Sequence, residues 1–244
     1  MNLVRESRSQ GLEGSSSSDL GPVQVEAAPI RQKVTAALRR AIELGTLQAG
    51  DRLVEKDLCA RLNVSRSSLR EAFRDLEVSG LVTNLASRGL IVASLSLEDI
   101  LGIYRVRAAI ELMLAAEFVK NADEEDIAEL KAVVKQMKTA TTLQAATLDA
   151  HRAFYEVWCR GAGNPFALEV MRNIQLRLSI IRSKTLTPSF LRKNAEGRAE
   201  IVESMTRRDT AGAQRLIRSH ITFAANAALQ AAGFPKVDVI SSSP

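Results

Sequence analysis

The chain is poor in several residue types, and each shortage excludes something. Its 244 residues hold only 13 Gly, 6 Pro and 4% aromatics, too few turn formers and β-formers for the many short strands of a sandwich or barrel. Cys59 and Cys159 are the only cysteines and stand a hundred positions apart. That spacing fits neither a zinc site nor a redox motif and suits a reducing compartment. No run of 18 apolar residues offers a membrane span. The N-terminus carries Arg5, Glu6, Arg8, Glu13 and the serines 15–18 where a signal peptide would need an apolar stretch, so the expected location is cytoplasmic and no membrane partner is expected. Enzyme signatures are missing too: there is no Glu-x-x-His pair, no P-loop, no Gly-rich dinucleotide turn, and no Ser or Cys nucleophile beside a placed base.

What the chain does have is helical periodicity. Residues 1–26, rich in Ser, Gly and Gln, offer nothing to bury and read as a disordered tail. From Ile30, the apolar residues Val34, Ala37, Leu38, Ala41 and Ile42 recur at helical spacing until Gly45. A second helix spans Glu55 to Leu62, and a third follows Asn63-Val64 with Ser65 as its N-cap and Leu69, Ala72, Phe73 and Leu76 on one face, up to Gly80. The apolar stretches LVTNL and GLIVA flank Ala86-Ser87-Arg88-Gly89 and predict a hairpin turning at Arg88-Gly89. Beyond Leu95 the pattern is helical throughout, with breaks that predict helices over 96–120, 123–138, 143–160, 165–185, 188–207 and 210–232.

The fold class expected is therefore mainly α. Residues 27–94 form a winged helix-turn-helix of three helices and a two-stranded wing. Residues 95–234 form an all-α antiparallel bundle of about six helices, and 235–244 a flexible tail.

Charge singles out the smaller unit. The whole chain is +5, but residues 27–94 hold 11 basic against 7 acidic residues, the densest positive excess, which points to a polyanionic partner. In a helix-turn-helix the second member enters the major groove by its N-terminal residues. Here that segment reads SRSSLREAFRDLE, whose hydroxyls and first-turn N–H groups suit phosphate oxygens. Arg66 and Arg70 lie four apart on one helix face, and arginine fits guanine O6 and N7 bidentately. Composition alone leaves a second use open, in which Arg70 pairs with Glu71 or Glu77 as solvated surface.

The stretch LRRAIELGTLQAGDRLVEKDLCARLNVSRSSLREAFRDLEVSGLV and the RGLIV after it resemble the winged-helix domain of GntR-type bacterial regulators. The G-x-L-x-x-G-x-x-L turn, the VSR-x-x-x-RE segment and the RG wing occur in that family's order and spacing. The resemblance implies contact with double-stranded operator DNA through Glu55 and Lys56, through Ser65, Arg66 and Ser67, through Arg70, and through Arg88 and Gly89 of the wing. Glu55 can instead orient an arginine, and Arg74 lies a turn deeper.

The C-terminal part resembles the all-helical effector domain of the FadR-type subfamily, the FCD domain. IYRVRAAIEL with Arg107 and Glu111, HRAFYEVWCRGAGNP, and the spacing from Asp209 to His220 carry that likeness. Many FCD domains hold a divalent metal through one Asp and three His, and the resemblance puts His151, Tyr155, Arg198 and His220 at those four positions. His151 and His220 could ligate Zn or Ni, but Arg198 offers no lone pair and repels a divalent ion, so no metal and no cofactor is expected. The same groups, with Arg107, form an expected effector site in which Arg198 grips a carboxylate. The resemblance thus implies a homodimeric repressor on a palindromic operator, released by a small organic acid or acyl effector. The alternatives are a helical-bundle metalloenzyme or metal-dependent effector binder, and a DNA-binding protein without an effector.

Overall fold

A computed structural model of the chain describes residues 28–139 and 144–239. The tail expected over 1–26 and the last residues of the one expected from 235 lie outside the described residues. The first unit comprises α1 (Ala28–Glu43), α2 (Glu55–Leu62), α3 (Arg66–Val78), β1 (Val82–Leu85) and β2 (Gly89–Val92). The second comprises α4 (Leu97–Asn121), α5 (Glu124–Thr139), α6 (Gln144–Gly161), α7 (Pro165–Thr185), α8 (Pro188–Thr206) and α9 (Thr210–Ala231).

Local chemistry sets these boundaries. Asn63 closes α2 in the left-handed conformation at φ 51°, a state an Asn side chain tolerates better than most. Two residues on, the Ser65 hydroxyl accepts from the Ser68 N–H at 3.2 Å and starts α3. α4 opens with a capping box in which Ser96 and Asp99 satisfy each other's backbone N–H groups. Leu69, Ala72, Phe73 and Leu76 of α3 are buried with Val34, Leu38 and Ile42 of α1, the 3.6-residue stripe that the sequence showed. In the bundle, α9 packs on α4 and α8, and α6 on α5 and α7, around Phe118, Phe154 and Trp158.

The structure departs from the expectations in three places. The hairpin turns through Ala86-Ser87-Arg88 rather than at Arg88-Gly89: Gly89 already pairs with Leu85 and takes φ 71°, the three-residue turn with a left-handed glycine at its end. The wing also gains a partner, because Gly50, Asp51 and Leu53 exchange backbone hydrogen bonds with Leu90 and Val92 and Arg52 bridges Ile91. Finally, the segment after α9 packs back as far as Val239. Val239 is buried, the Val237 N–H donates to Asn226 Oδ1 at 2.9 Å, and Arg105 Nε donates to the Val239 carbonyl. Alternating valines in an otherwise polar tail supply the apolar contact that holds it.

The two units touch. Arg152 of α6 pairs with Glu43 of α1 at 2.6 Å, and Glu43 is buried there. Arg177 of α7 lies over Gly80 so closely that a Cβ at position 80 would stand 2.5 Å from its Nη2.

Candidate functional site

The basic face is assembled by α2, α3 and the wing. Arg70 donates from Nε and Nη2 to the two Glu55 oxygens at 2.9 and 3.1 Å, a bidentate pair in open solvent. The hydrogen bond from Arg70, assisted by the charges of Arg70 and Arg66, holds the Glu55 carboxyl below its ordinary value. Of the two uses left open for Arg70, pairing is realised, but with Glu55 rather than with Glu71 or Glu77. Glu71 instead takes Arg74. Lys56, Ser65, Arg66, Ser67 and Arg88 are all exposed. Ser65 Oγ lies within hydrogen-bond distance of the hydroxyls of Ser67 and Ser68, so the opening turn of α3 presents a cluster of hydroxyls. Glu55 and Gly89 border one depression together with Arg52 and Asn84, which brings the start of α2 beside the wing. Sequence reasoning missed Arg52 and Asn84, because their place depends on the loop pairing with β2.

The second cluster lies inside the bundle. On α4, Arg107 donates to Glu111 Oε1 at 2.7 Å, one helical turn away. Tyr155 of α6 donates its hydroxyl to the same oxygen at 2.6 Å, and Arg198 of α8 donates from Nη2 to the Tyr155 hydroxyl at 2.8 Å. The Arg198 guanidinium stacks over Phe154 at 4.2 Å and Tyr155 at 5.0 Å, contacts that partly offset its desolvation. His220 of α9 approaches Asn194 at 3.5 Å. Its imidazole also fills the space a Cβ at Gly197 would need, 2.7 Å from Nδ1, so the glycine beside Arg198 seats the ring. Arg107, Arg198 and His151 border a cavity of about 50 Å³ together with Asn194 and Gln175.

The charge balance of this cluster is uneven. Burial alone would neutralise Glu111, yet Arg107, Arg198 and the hydrogen bonds from Tyr155 and Arg107 hold its carboxyl below the ordinary value. Burial likewise opposes the charge on Arg107, but Glu111 and the tyrosines raise it. Burial pushes the Tyr155 hydroxyl up to about 12. His220 is driven well below 6.5 by burial and then by Arg198 and Arg107, so it is neutral at physiological pH. Two buried cations therefore face one buried anion. Arg198 keeps Nε and Nη1 buried without a hydrogen-bond partner, and Glu111 Oε2 and Asn194 Oδ1 are unpartnered as well. Buried polar groups in folded proteins are rarely left so.

All five residues expected at the effector site fall in or beside this cluster. His151 is at its edge, half-buried, and His220 is behind Asn194. Asn194 and Gln175 were not anticipated, since nothing in their helical neighbourhoods marks them as polar groups turned inward. The divalent metal that the FCD resemblance implies does not fit these residues. Tyr155 and Arg198 stand at two of its four positions, and the permanently cationic Arg198 is 1% exposed at the centre, a donor where a ligand is needed. Among the described residues no three His, Cys, Asp or Glu side chains come together.

Known proteins agree with this architecture. Residues 102–223, half of the chain, match the FCD domain family, and residues 30–92 match the family of bacterial regulatory proteins, gntR family. The chain is 26% identical to the HTH-type transcriptional repressor GlaR of Escherichia coli K12 over 195 residues, 75% of this chain and 89% of that one. It is 33% identical to the HTH-type transcriptional regulator YdhC of Bacillus subtilis over 103 residues, 42% of this chain and 46% of that protein. A solved GntR regulator of Rhodococcus sp. RHA1 superposes with a TM-score of 0.70 at 25% identity, covering 82% of this chain and 97% of that one. These relatives are transcriptional regulators and not enzymes. With a winged helix joined to a helical bundle, and with both family models matched, the chain belongs to the GntR family of bacterial transcriptional regulators, with an FCD effector-binding domain.

Proposed function

We propose that the protein is a homodimeric repressor that binds a palindromic operator and is released by a small monocarboxylate held on Arg198. One observation carries the effector assignment: the Arg198 guanidinium is buried with Nε and Nη1 unpartnered, in a cluster with one more cation than anion. A carboxylate accepts from one of these N–H groups together with the second hydrogen of Nη2 on the same edge of the guanidinium, and supplies the missing negative charge. The relative GlaR is a repressor, which supports the direction of regulation.

On the DNA side, Arg66 and Arg70 reach the groove, with Glu55 aiming Arg70. Lys56, Ser65, Ser67, Arg88 and Gly89 position the backbone. Two-fold symmetry follows from a palindrome, and α4 offers a face for it, since Val106 and Met113 are 50% and 41% exposed two turns apart. Ligand changes operator affinity by binding one arrangement of the two units more tightly.

The test is fluorescence anisotropy on the protein's own upstream DNA with a panel of small carboxylates, comparing wild type with Arg198→Gln. The variant should bind DNA as wild type does and ignore the acid that releases wild type. Equal release of both proteins would defeat the assignment.

A further inference from the structure

A second cavity, of about 340 Å³, lies between the two units. Its walls come from Arg39 and Glu43 of α1, Ser79 at the end of α3, α6, and the face of α7 bearing Leu168, Met171 and Leu176. His151 and Gln175 border this cavity and the Arg198 pocket alike, and Tyr155 lines it while its hydroxyl bonds Arg198. A single layer of side chains therefore separates the two spaces. Their sizes are unequal in a telling way. The inner pocket of about 50 Å³ holds a few water-sized groups, enough for an anionic head. The outer cavity is of the size that takes the body of a small organic ligand.

We propose that the effector is an amphipathic monocarboxylate whose head sits on Arg198 and whose body passes His151 and Gln175 into the space between the units, where it touches the DNA-binding unit itself. This rests on the anion reading given above. The body lies against Leu168, Met171 and Leu176, and its far end meets α1 beside the Glu43–Arg152 ion pair that joins the units. α6 links these events, because His151, Arg152 and Tyr155 sit within one turn of it: all three line the outer cavity, and Arg152 also holds the DNA-binding unit. A ligand in this place acts as a wedge, and its length, more than its head, sets the response.

Trp158 is the chain's single tryptophan and stacks on Tyr155 at 6.3 Å between ring centroids, so its fluorescence reports on the cluster. The full-length protein is titrated with acetate, hexanoate and octanoate, together with Leu168→Phe, Leu176→Phe and Arg198→Gln variants. Each phenylalanine narrows the outer cavity without touching the arginine. Affinity should rise at least about tenfold from acetate to octanoate in wild type, since each buried methylene contributes to binding. Either phenylalanine should abolish most of that gain and leave acetate unchanged, and Arg198→Gln should lose both acids. If acetate binds through Arg198 but the series is flat, or if both phenylalanine variants bind octanoate as wild type does, the bridging site is wrong and the anion reading stands. If acetate fails to bind wild type, or Arg198→Gln binds both acids unchanged, the anion reading falls and takes the bridging site with it.

Discussion

The same two residue types make a pair in each unit, with opposite physical consequences. Arg70 and Glu55 are joined by two hydrogen bonds in solvent, with side chains 62% and 36% exposed. Arg107 and Glu111 are joined by one at 5% and 0%. Water screens the first pair and competes for it, so it contributes little to stability and its arginine can exchange a carboxylate for a base or phosphate. The second has no such freedom. Its charges were desolvated on folding, and removing one partner strands the other in a medium that cannot solvate it. In the proposed reading a regulator gains from both: the exposed pair is free to change partners on DNA, while the buried cluster stays fixed and unsatisfied until an anion arrives.

The largest effect that sharpens this contrast is Glu111→Gln. Arg107 and Arg198 would be left without a counter-charge, and stability should fall by roughly 3 to 5 kcal/mol, read by urea denaturation. The matching Glu55→Gln should leave the denaturation midpoint unmoved, and a large loss there would break the comparison. Next comes Arg66→Ala. Operator affinity should drop about ten- to a hundred-fold, the ~1 to 3 kcal/mol of a bidentate base contact, while the denaturation midpoint holds. An unchanged operator affinity would remove Arg66 from the reading surface.

Acid should separate the units as well. The unfolded chain protonates His220 near 6.5, whereas the folded protein keeps it neutral to well below that. The unfolded state therefore binds more protons as pH falls below 6.5, and stability declines with acidification by up to about 1.4 kcal/mol per pH unit. Glu111, with its folded value depressed, adds a further loss below its ordinary value of 4.5. His220→Asn should flatten the limb between pH 5 and 6.5 in a denaturation series, and a limb of unchanged slope would assign it to other groups. The smallest effect is Ser65→Ala, which removes the cap of α3 and should cost about 1 kcal/mol by the same denaturation readout.

Most of the fold was legible because its signals are local. The stripes on α1 and α3, the Ser65 cap and the breaks between bundle helices each follow from a few adjacent residues. The wing turn was misplaced by a residue or two, since a glycine signals positive φ without saying whether it belongs to the turn or to the strand. Val239 was read as tail because two valines carry no periodicity, and only the surface of α4 and α9 decides whether they pack. In the site, spacing and resemblance led to Arg107, Tyr155, Arg198 and His220. What spacing could not give was the chain of hydrogen bonds through Tyr155 or the unpartnered face of Arg198, which arise where α4, α6 and α8 meet. The Glu43–Arg152 pair was equally invisible, since it joins residues 109 apart.

The central claim is that Arg198 is kept for an anion and not for the fold. Thermal unfolding of wild type and Arg198→Met, each in low-salt zwitterionic buffer with and without acetate, tests it most directly. Without Arg198 the cluster keeps one cation, Arg107, paired with one anion, Glu111, so removing the surplus buried charge should not weaken the fold, whereas a ligand that binds only the native state raises the midpoint by mass action. The account predicts that Arg198→Met unfolds at or above the wild-type temperature without acetate, and that acetate raises the midpoint of wild type alone. A variant that unfolds well below wild type, with acetate shifting both proteins equally, would contradict it.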